Sequence, residues 1–538
     1  FRDQVARYGR GLINEEDFKQ LRLRNGLYMQ RQAHMLRVAI PYGLLNAAQL
    51  RALARISRDY DRGYGHFTTR QNIQFNWPEL TDVPDILDDL AKVEMHAMQT
   101  SGSCIRNISS DQYAGVAKDE IADPRPYCEI IRQWSTLHPE FYWLPRKFKI
   151  AVTGATTDRA AVQFHDIGLE LIRDEQGSLG FRVYVGGGLG RTPVIGKVLK
   201  EFLPREHLLS YCESILRVYN LYGRRDNKYK ARIKILVNAL GVDAFRDKVE
   251  QDWASHKGGE LTLHDEDFAT MQSFFSAPDY GTSKSDVVKA QNKVKQWAAL
   301  DTRFRDWVEH NTLDHKQPGY KIVNISLKQP SVAPGDATAE QMEAIADIAE
   351  AYSFGEIRVT HEQNLVLADV SQDDLFRVWR SLENAELATA NIGSINDMIC
   401  CPGLEFCSLA NASSIGIAKQ INERFADQDE LYDIGNIKLK MSGCMNACGH
   451  HHVGHIGILG VDKKGEEWYQ LTIGGNASNN AALGQRLGPA IAKHEVSSAI
   501  SSLLEVYREI RLPEESFIET YQRVGVEPFK DSVYQIAA

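Results

Sequence analysis

The chain has 538 residues, material for about three or four domains at roughly 150 residues each. It is 43% hydrophobic, 25% charged and 9% aromatic, which excludes collagen-like, disordered and disulfide-scaffold classes. Sixty-two basic against 71 acidic residues leave a net charge of −9, a poor match to nucleic acid or an anionic membrane. No apolar run is long enough to span a bilayer, so a soluble cytoplasmic protein without nucleic-acid or membrane partners is expected. Phe1-Arg2-Asp3-Gln4 shows neither an initiator Met nor a signal-peptide core, and a trimmed chain is the expectation.

In chain order, residues 1–30 read as an arm of helices. Met35 to Pro41 reads as a strand, Ala47 to Tyr60 as a helix with Leu50, Leu53, Ala54 and Ile56 on one side, and His66 to Phe75 as a second strand. Residues 215–315 are charged and mostly helical in pattern, with a turn at Gly281 to Ser285. The opening order then returns: a strand at Tyr320 to Leu327, a helix at Ala339 to Ala351, and a strand at Ile357 to Asp369. Sheets faced by helices, an α+β arrangement, follow from this order.

That return is a duplication. Thr68-Thr69-Arg70-Gln71-Asn72-Ile73 recurs as Thr360-His361-Glu362-Gln363-Asn364-Leu365. Lys149 to Gly154 recurs as Lys438 to Gly443, and Phe181 to Gly187 as Tyr469 to Gly475. Three matches in one order at nearly one offset mark two diverged copies, with the active site expected between them.

Five of the eight cysteines, Cys400, Cys401, Cys407, Cys444 and Cys448, are clustered. Four thiolates in a Cys401-x5-Cys407 … Cys444-x3-Cys448 pattern hold an iron–sulfur cluster or a zinc ion, or are unliganded core residues. The C-x5-C arm fits zinc knuckles poorly. Pro402-Gly403, Gly443 and Gly449 would let the backbone approach a bulky cofactor. His450, His451, His452 and His455 either complete a zinc site or line and pack a pocket. Gly186-Gly187-Gly188-Leu189-Gly190 lacks dinucleotide-binding spacing and reads as a tight corner after a strand.

Basic residues stand out in an acidic chain. Arg37 and Arg70 lie on expected strands, and Arg106 follows Cys104. Lys147 and Lys149 share one face of a strand, which is either a solvated edge or a surface that awaits an anion. Lys228 and Arg232, four apart, share a face of an expected helix.

These residues resemble a known family. Cys401-x5-Cys407 … Cys444-Met445-Asn446-Ala447-Cys448, Thr68 to Gln74, Leu36-Arg37-Val38, Arg106 and Pro145-Arg146-Lys147-Phe148-Lys149 are similar to the motifs of sirohaem-dependent sulfite and nitrite reductases, over nearly the whole chain. The resemblance implies a pseudo-twofold fold: an arm (1–30), a ferredoxin-like half-domain (31–100), a sirohaem-type domain with a helical linker (101–315), a second half-domain (316–390) and a [4Fe–4S]/sirohaem domain (391–538). It implies a [4Fe–4S] cluster on Cys401, Cys407, Cys444 and Cys448, with Cys448 shared with the sirohaem iron. Arg37, Arg106, Lys147 and Lys149 match the family's substrate-side basic quartet. Arg70, Gln71, Gln74, Asn76 and Asn446 match its macrocycle contacts, and Lys228 and Arg232 its basic helix.

The chain departs from the family at two points. Some relatives crosslink a Tyr to a Cys near the site; Tyr28 matches the Tyr, but the Cys position falls on Ser101, so no crosslink is expected. The adjacent Cys400 and Cys401 offer two candidates for one ligand, and the spacing selects Cys401.

The implied reaction is assimilatory six-electron reduction of sulfite to sulfide, with nitrite to ammonia as the same-class rival and a zinc-stabilised binding protein as a remote one. No flavin or nicotinamide module is evident, so a separate ferredoxin or flavoprotein is the expected electron donor.

Overall fold

Strand pairing in the computed structural model, which describes residues 1–281 and 284–534, makes the duplication visible. Two sheets come from the half-domains. One runs Leu27–Met29, His34–Val38, Ile73–Phe75, Tyr64–Phe67 and Asp336–Thr338; the other runs Thr312–Asp314, Tyr320–Ile325, Leu365–Ser371, Glu356–Val359 and Leu44–Asn46. The outermost strand of each belongs to the opposite copy. Asp336–Thr338 pairs antiparallel with Tyr64–Phe67, and Leu44–Asn46 with Glu356–Val359. This reciprocal exchange gives each sheet an edge supplied by the other copy and fuses both half-domains into one core. Leu53 and Ile56 of one copy join Met342 and Ile345 of the other there, all fully buried.

The helices facing this core form where expected, at Ala47–Tyr60 and Ala339–Tyr352. Both open on the same capping box. Asn46 accepts the Gln49 N–H at 2.8 Å while Gln49 accepts the Asn46 N–H, and Thr338 and Gln341 repeat the arrangement. Across the interface Arg51 meets Asp347 and Glu350, each at 2.7 Å.

Two expected strands are each split. Thr68 to Asn72 and Thr360 to Asn364 are turns, not strand interior, so Arg70 sits in a turn. Gln71 and Gln363 adopt left-handed φ of 54° and 60°, unusual for a side-chain-bearing residue. Hydrogen bonds hold them: Gln71 Nε2 donates across the copies to the Val359 carbonyl and within its own copy to that of Ser110, and Gln363 Nε2 donates across to that of Phe67.

The other two sheets share one topology. Ser109–Ser110, Ile150–Thr153 and Ile167–Arg173 pair in parallel, and Leu179–Val185 and Lys197–Pro204 follow antiparallel. Ile399–Cys400, Leu439–Ser442, Ile456–Lys463 and Glu466–Ile473 repeat this, with Gln485–Arg486 and Ile491–Ala492 closing the edge. The linker is helical as expected. Leu208–Tyr222 buries Tyr211, Ile215 and Tyr219 in the core of the first of these sheets, and Thr302–Asn311 sends Phe304 and Trp307 into the half-domain core. The turn expected at Gly281 to Ser285 falls across 282–283, outside the described residues. The arm forms helices at Arg2–Gly9 and Glu15–Arg24. No helix among the described residues is long and apolar enough to cross a membrane.

Candidate functional site

The cysteine segments leave the ends of adjacent parallel strands, Ile399–Cys400 and Leu439–Ser442, where loops at a strand edge can converge. Cys400 stands beside Cys401 on the cleft wall. It is buried, its N–H is taken by Gln363 Oε1 at 2.9 Å, and its thiol turns to the Cys401 carbonyl. Cys401 Sγ instead accepts the Gly443 N–H at 3.1 Å. The glycines make close backbone packing possible rather than space for a cofactor: a Cβ on Gly449 would lie 1.8 Å from the Met441 oxygen, and one on Gly443 2.6 Å from that of Ala412.

The charge of Cys448 is felt by Cys401, Cys407 and Cys444 alike. Burial, and then that charge, pushes the Cys401 thiol up to about 12. The Cys401, Cys407 and Cys444 thiols, raised in this way, ionise readily only beside added positive charge, which bound iron would provide. Among the described residues no three His, Cys, Asp or Glu side chains close on a single-ion site. A tetrahedral zinc ion would need such a converged ligand set. Asn446 donates to the Cys444 sulfur.

Cys448 is exposed into a cleft between the copies that holds about 1510 Å³ of space, solvent at its mouth included. Ten Arg and Lys side chains line it, and no Asp or Glu does. The quartet gathers here. Arg37 gives Nε and Nη2 to Gln74 Oε1 at 3.0 and 2.6 Å, and the Thr100 carbonyl accepts from both Arg37 and Arg106, at 3.3 and 2.8 Å. Lys147 and Lys149 lie just ahead of the strand Ile150–Thr153, both on the cleft, with Phe148 between them turned into the core. Burial, then the Arg106 charge, pushes Lys147 down to about 7, and burial with Arg70 carries Lys149 well below its ordinary value.

Arg70, Gln74, Asn446, Lys228 and Arg232 line the same cleft. Lys228 and Arg232 are not on a helix: Lys228 is in an exposed turn and Arg232 caps Ile233–Leu240, because Asp226 and Asn227 favour turns. Gln71 and Asn76 are corrections. Gln71 is buried in its bonds between the copies, and Asn76 turns to Asp61 and Tyr64, so neither lines the cleft. Tyr28 stands beside Arg37 with its hydroxyl on the Thr100 carbonyl, and the Cys104 thiol donates to the Ser101 carbonyl.

The histidines divide between lining and packing. His450 lines the cleft, and His452 Nε2 meets the Gly190 carbonyl at 2.9 Å, tying the cysteine loop to the glycine corner. His451 is buried with both ring nitrogens unpartnered, and His455 Nδ1 accepts the Lys438 N–H.

Several residues of the site escaped the sequence. Lys234 donates to the Leu189 carbonyl at 2.9 Å and to that of Thr192, holding the glycine corner at the cleft wall. His165 Nε2 receives Arg70 Nη1 while its Nδ1 donates to Ala161 O, which selects its tautomer. Lys234 was within reach of the motif, two residues past Arg232. His165 carried no signal.

A cleft with ten basic side chains and no carboxylate fits a polycarboxylate macrocycle and a small anion, and three thiols that each feel Cys448 fit a [4Fe–4S] cluster. The comparisons agree. Residues 101–257 and 393–537 match the "Nitrite and sulphite reductase 4Fe-4S domain", and 28–93 and 315–385 the "Nitrite/Sulfite reductase ferredoxin-like half domain". The chain is 28% identical to an assimilatory ferredoxin-dependent nitrite reductase of Haloferax mediterranei, over 93% of this chain and 84% of that one. It is 26% identical to "Sulfite reductase [ferredoxin] 1" of Mycolicibacterium paratuberculosis, over 92% and 83%. The fold superposes on the Mycobacterium tuberculosis NirA protein with a TM-score of 0.79 at 23% identity, covering 98% and 95% of the two chains. The chain thus belongs to the nitrite and sulphite reductase family, oxidoreductases built on sirohaem and a [4Fe–4S] cluster.

Proposed function

We propose that this chain is an assimilatory sulfite reductase that takes sulfite to sulfide with six electrons from a separate ferredoxin. The observation that carries this reading is the carboxylate-free cationic cleft ending at Cys448. Cys401, Cys407, Cys444 and Cys448 would hold the cluster, with Cys448 also the sirohaem ligand. Arg70, Gln74, Asn446, Lys228 and Arg232 would meet the macrocycle. When bound, these groups supply single electrons and an iron site for the anion.

The chain's own residues do the rest. Arg37 and Arg106, steered by the Thr100 carbonyl, present fixed guanidinium groups to the anion. Lys147 and Lys149 neutralise charge and deliver protons as each oxygen leaves as water. An ammonium with its pKa near 7 gives up a proton readily at neutral pH. Sulfite is placed ahead of nitrite on general likeness to the sulfite reductases, and relatives of both kinds are among those matched. Ferredoxin is favoured as donor because the relatives' own names specify it.

The test is kcat/KM for sulfite and nitrite side by side on cofactor-loaded protein, with reduced viologen and then with ferredoxin. A clear preference for sulfite is expected. A preference for nitrite would keep the site assignments and replace the substrate, and reduction of neither would overturn the reading.

A further inference from the structure

Asp166 is fully buried beneath the cationic cleft and does not line it. Its Oδ2 accepts the Lys149 backbone N–H at 2.8 Å. Its two oxygens also take Arg232, with Nε on Oδ1 at 3.0 Å and Nη2 on Oδ1 and Oδ2 at 2.7 and 2.8 Å. Among the described residues, the Arg232–Asp166 contact is the one ion pair made by any cation of the cleft. Arg37, Arg70 and Arg106 bond to carbonyl, hydroxyl, amide and imidazole acceptors instead.

This arrangement is unusual in energetic terms. A buried carboxylate is retained only where it is paired and its lone pairs are filled. Asp166 satisfies both conditions by gripping two residues that lie on the same cleft, the backbone of Lys149 and the guanidinium of Arg232. It also offsets positive charge that no other carboxylate nearby meets: the charges of Arg70, Lys149 and Lys234 are all opposed by Asp166.

We propose that Asp166 is a positioning residue for the reaction, one buried carboxylate that sets where the Lys149 ammonium stands relative to the Arg232 guanidinium. This deepens the proposed function: Lys149 serves the substrate and Arg232 the cofactor edge, and Asp166 locks their relative placement without touching either ligand. A misplacement of the kind its loss would cause is expensive in catalysis, whereas removal of a negative charge beneath the cleft favours anion binding.

The experiment is Asp166→Asn in the cofactor-loaded enzyme, read by haem and iron content, thermal midpoint, steady-state kinetics, and titration of the oxidised sirohaem absorbance with sulfite. The expected result is kcat lower by about tenfold, with sulfite affinity unchanged or tighter and cofactor content retained. In a Lys149→Met background the same substitution should cost less than about threefold, because both act through one placement. Asp166→Glu, which keeps a carboxylate but moves it by one methylene, replaces Asp166→Asn should the latter not fold, with the same loss of kcat expected. Unchanged kcat, a loss of affinity in step with loss of haem, or a full tenfold loss in the Lys149→Met background would each overturn the proposal. Failure of the wild-type enzyme to reduce sulfite would instead count against the functional reading.

Discussion

The Thr69 hydroxyl donates to the Cys448 carbonyl oxygen at 2.9 Å. A turn of the first copy therefore holds the cysteine loop of the second, at the residue proposed to serve both cofactors. Thr69→Val should cost about 1 kcal/mol of stability, the ordinary worth of one such bond, and loosen Cys448 without removing it. Cys448→Ser should abolish turnover and disturb both cofactors together. An absorbance spectrum that stays normal in the haem region in Cys448→Ser would remove the shared role.

Lys149→Met should retain haem and iron while lowering kcat by about 10²- to 10⁴-fold, the range for loss of a positioned proton donor. Met preserves the apolar stem and deletes the ammonium. Steady-state kinetics with measured cofactor content checks this, and unchanged turnover would take Lys149 out of the site.

Lys328 and Asp397 form a fully buried pair at 2.8 Å, with Asn364 bonded to both. Asp397→Ala leaves the Lys328 charge without its carboxylate and should destabilise the fold by about 3–5 kcal/mol. The double change Lys328→Met with Asp397→Leu should recover part of that, because the two paired charges are removed together. Urea unfolding midpoints of the three proteins decide it.

Acid sensitivity follows from two histidines. Burial first, then neighbouring charge, depresses His455 to about 3, with Lys438 and Lys440 beside it, and His451 to about 3 as well, against an ordinary 6.5. A depressed folded value means that the unfolded chain binds more protons between about 3 and 6.5. Stability is therefore full above pH 6.5 and falls as pH drops below it, by about 1.4 kcal/mol per pH unit for each histidine. Urea unfolding at pH 7 and pH 5.5 should show this. His455→Asn, which keeps an acceptor for the Lys438 N–H, should remove one proton's share of the slope.

Much of the site was legible from spacing. The C-x5-C and C-x3-C pairs, the return of the Thr68 to Ile73 segment and the Lys147/Lys149 face are local patterns, and local patterns survive in one dimension, whereas the grouping of Arg37, Arg106, Lys147 and Lys149 came from the family resemblance. Gln71 and Asn76 misled because neighbours of a cofactor-facing residue need not face it. In the turn at Thr68 to Asn72 a left-handed φ at Gln71 swings its side chain away from the cleft and into the other copy.

The sequence by itself determined the duplication and the α+β elements, because each depends on residues close together in the chain. Only the tertiary structure decided that the copies exchange edge strands, that the cleft is free of carboxylates, and that Asp166 underlies it. Those facts turn on which distant groups meet: Asp166 lies 66 residues from Arg232 and Thr69 379 from Cys448. Nothing in a linear pattern marks such pairs, since the energy that selects them is the cost of leaving a buried charge or donor unpaired once the two copies close on each other.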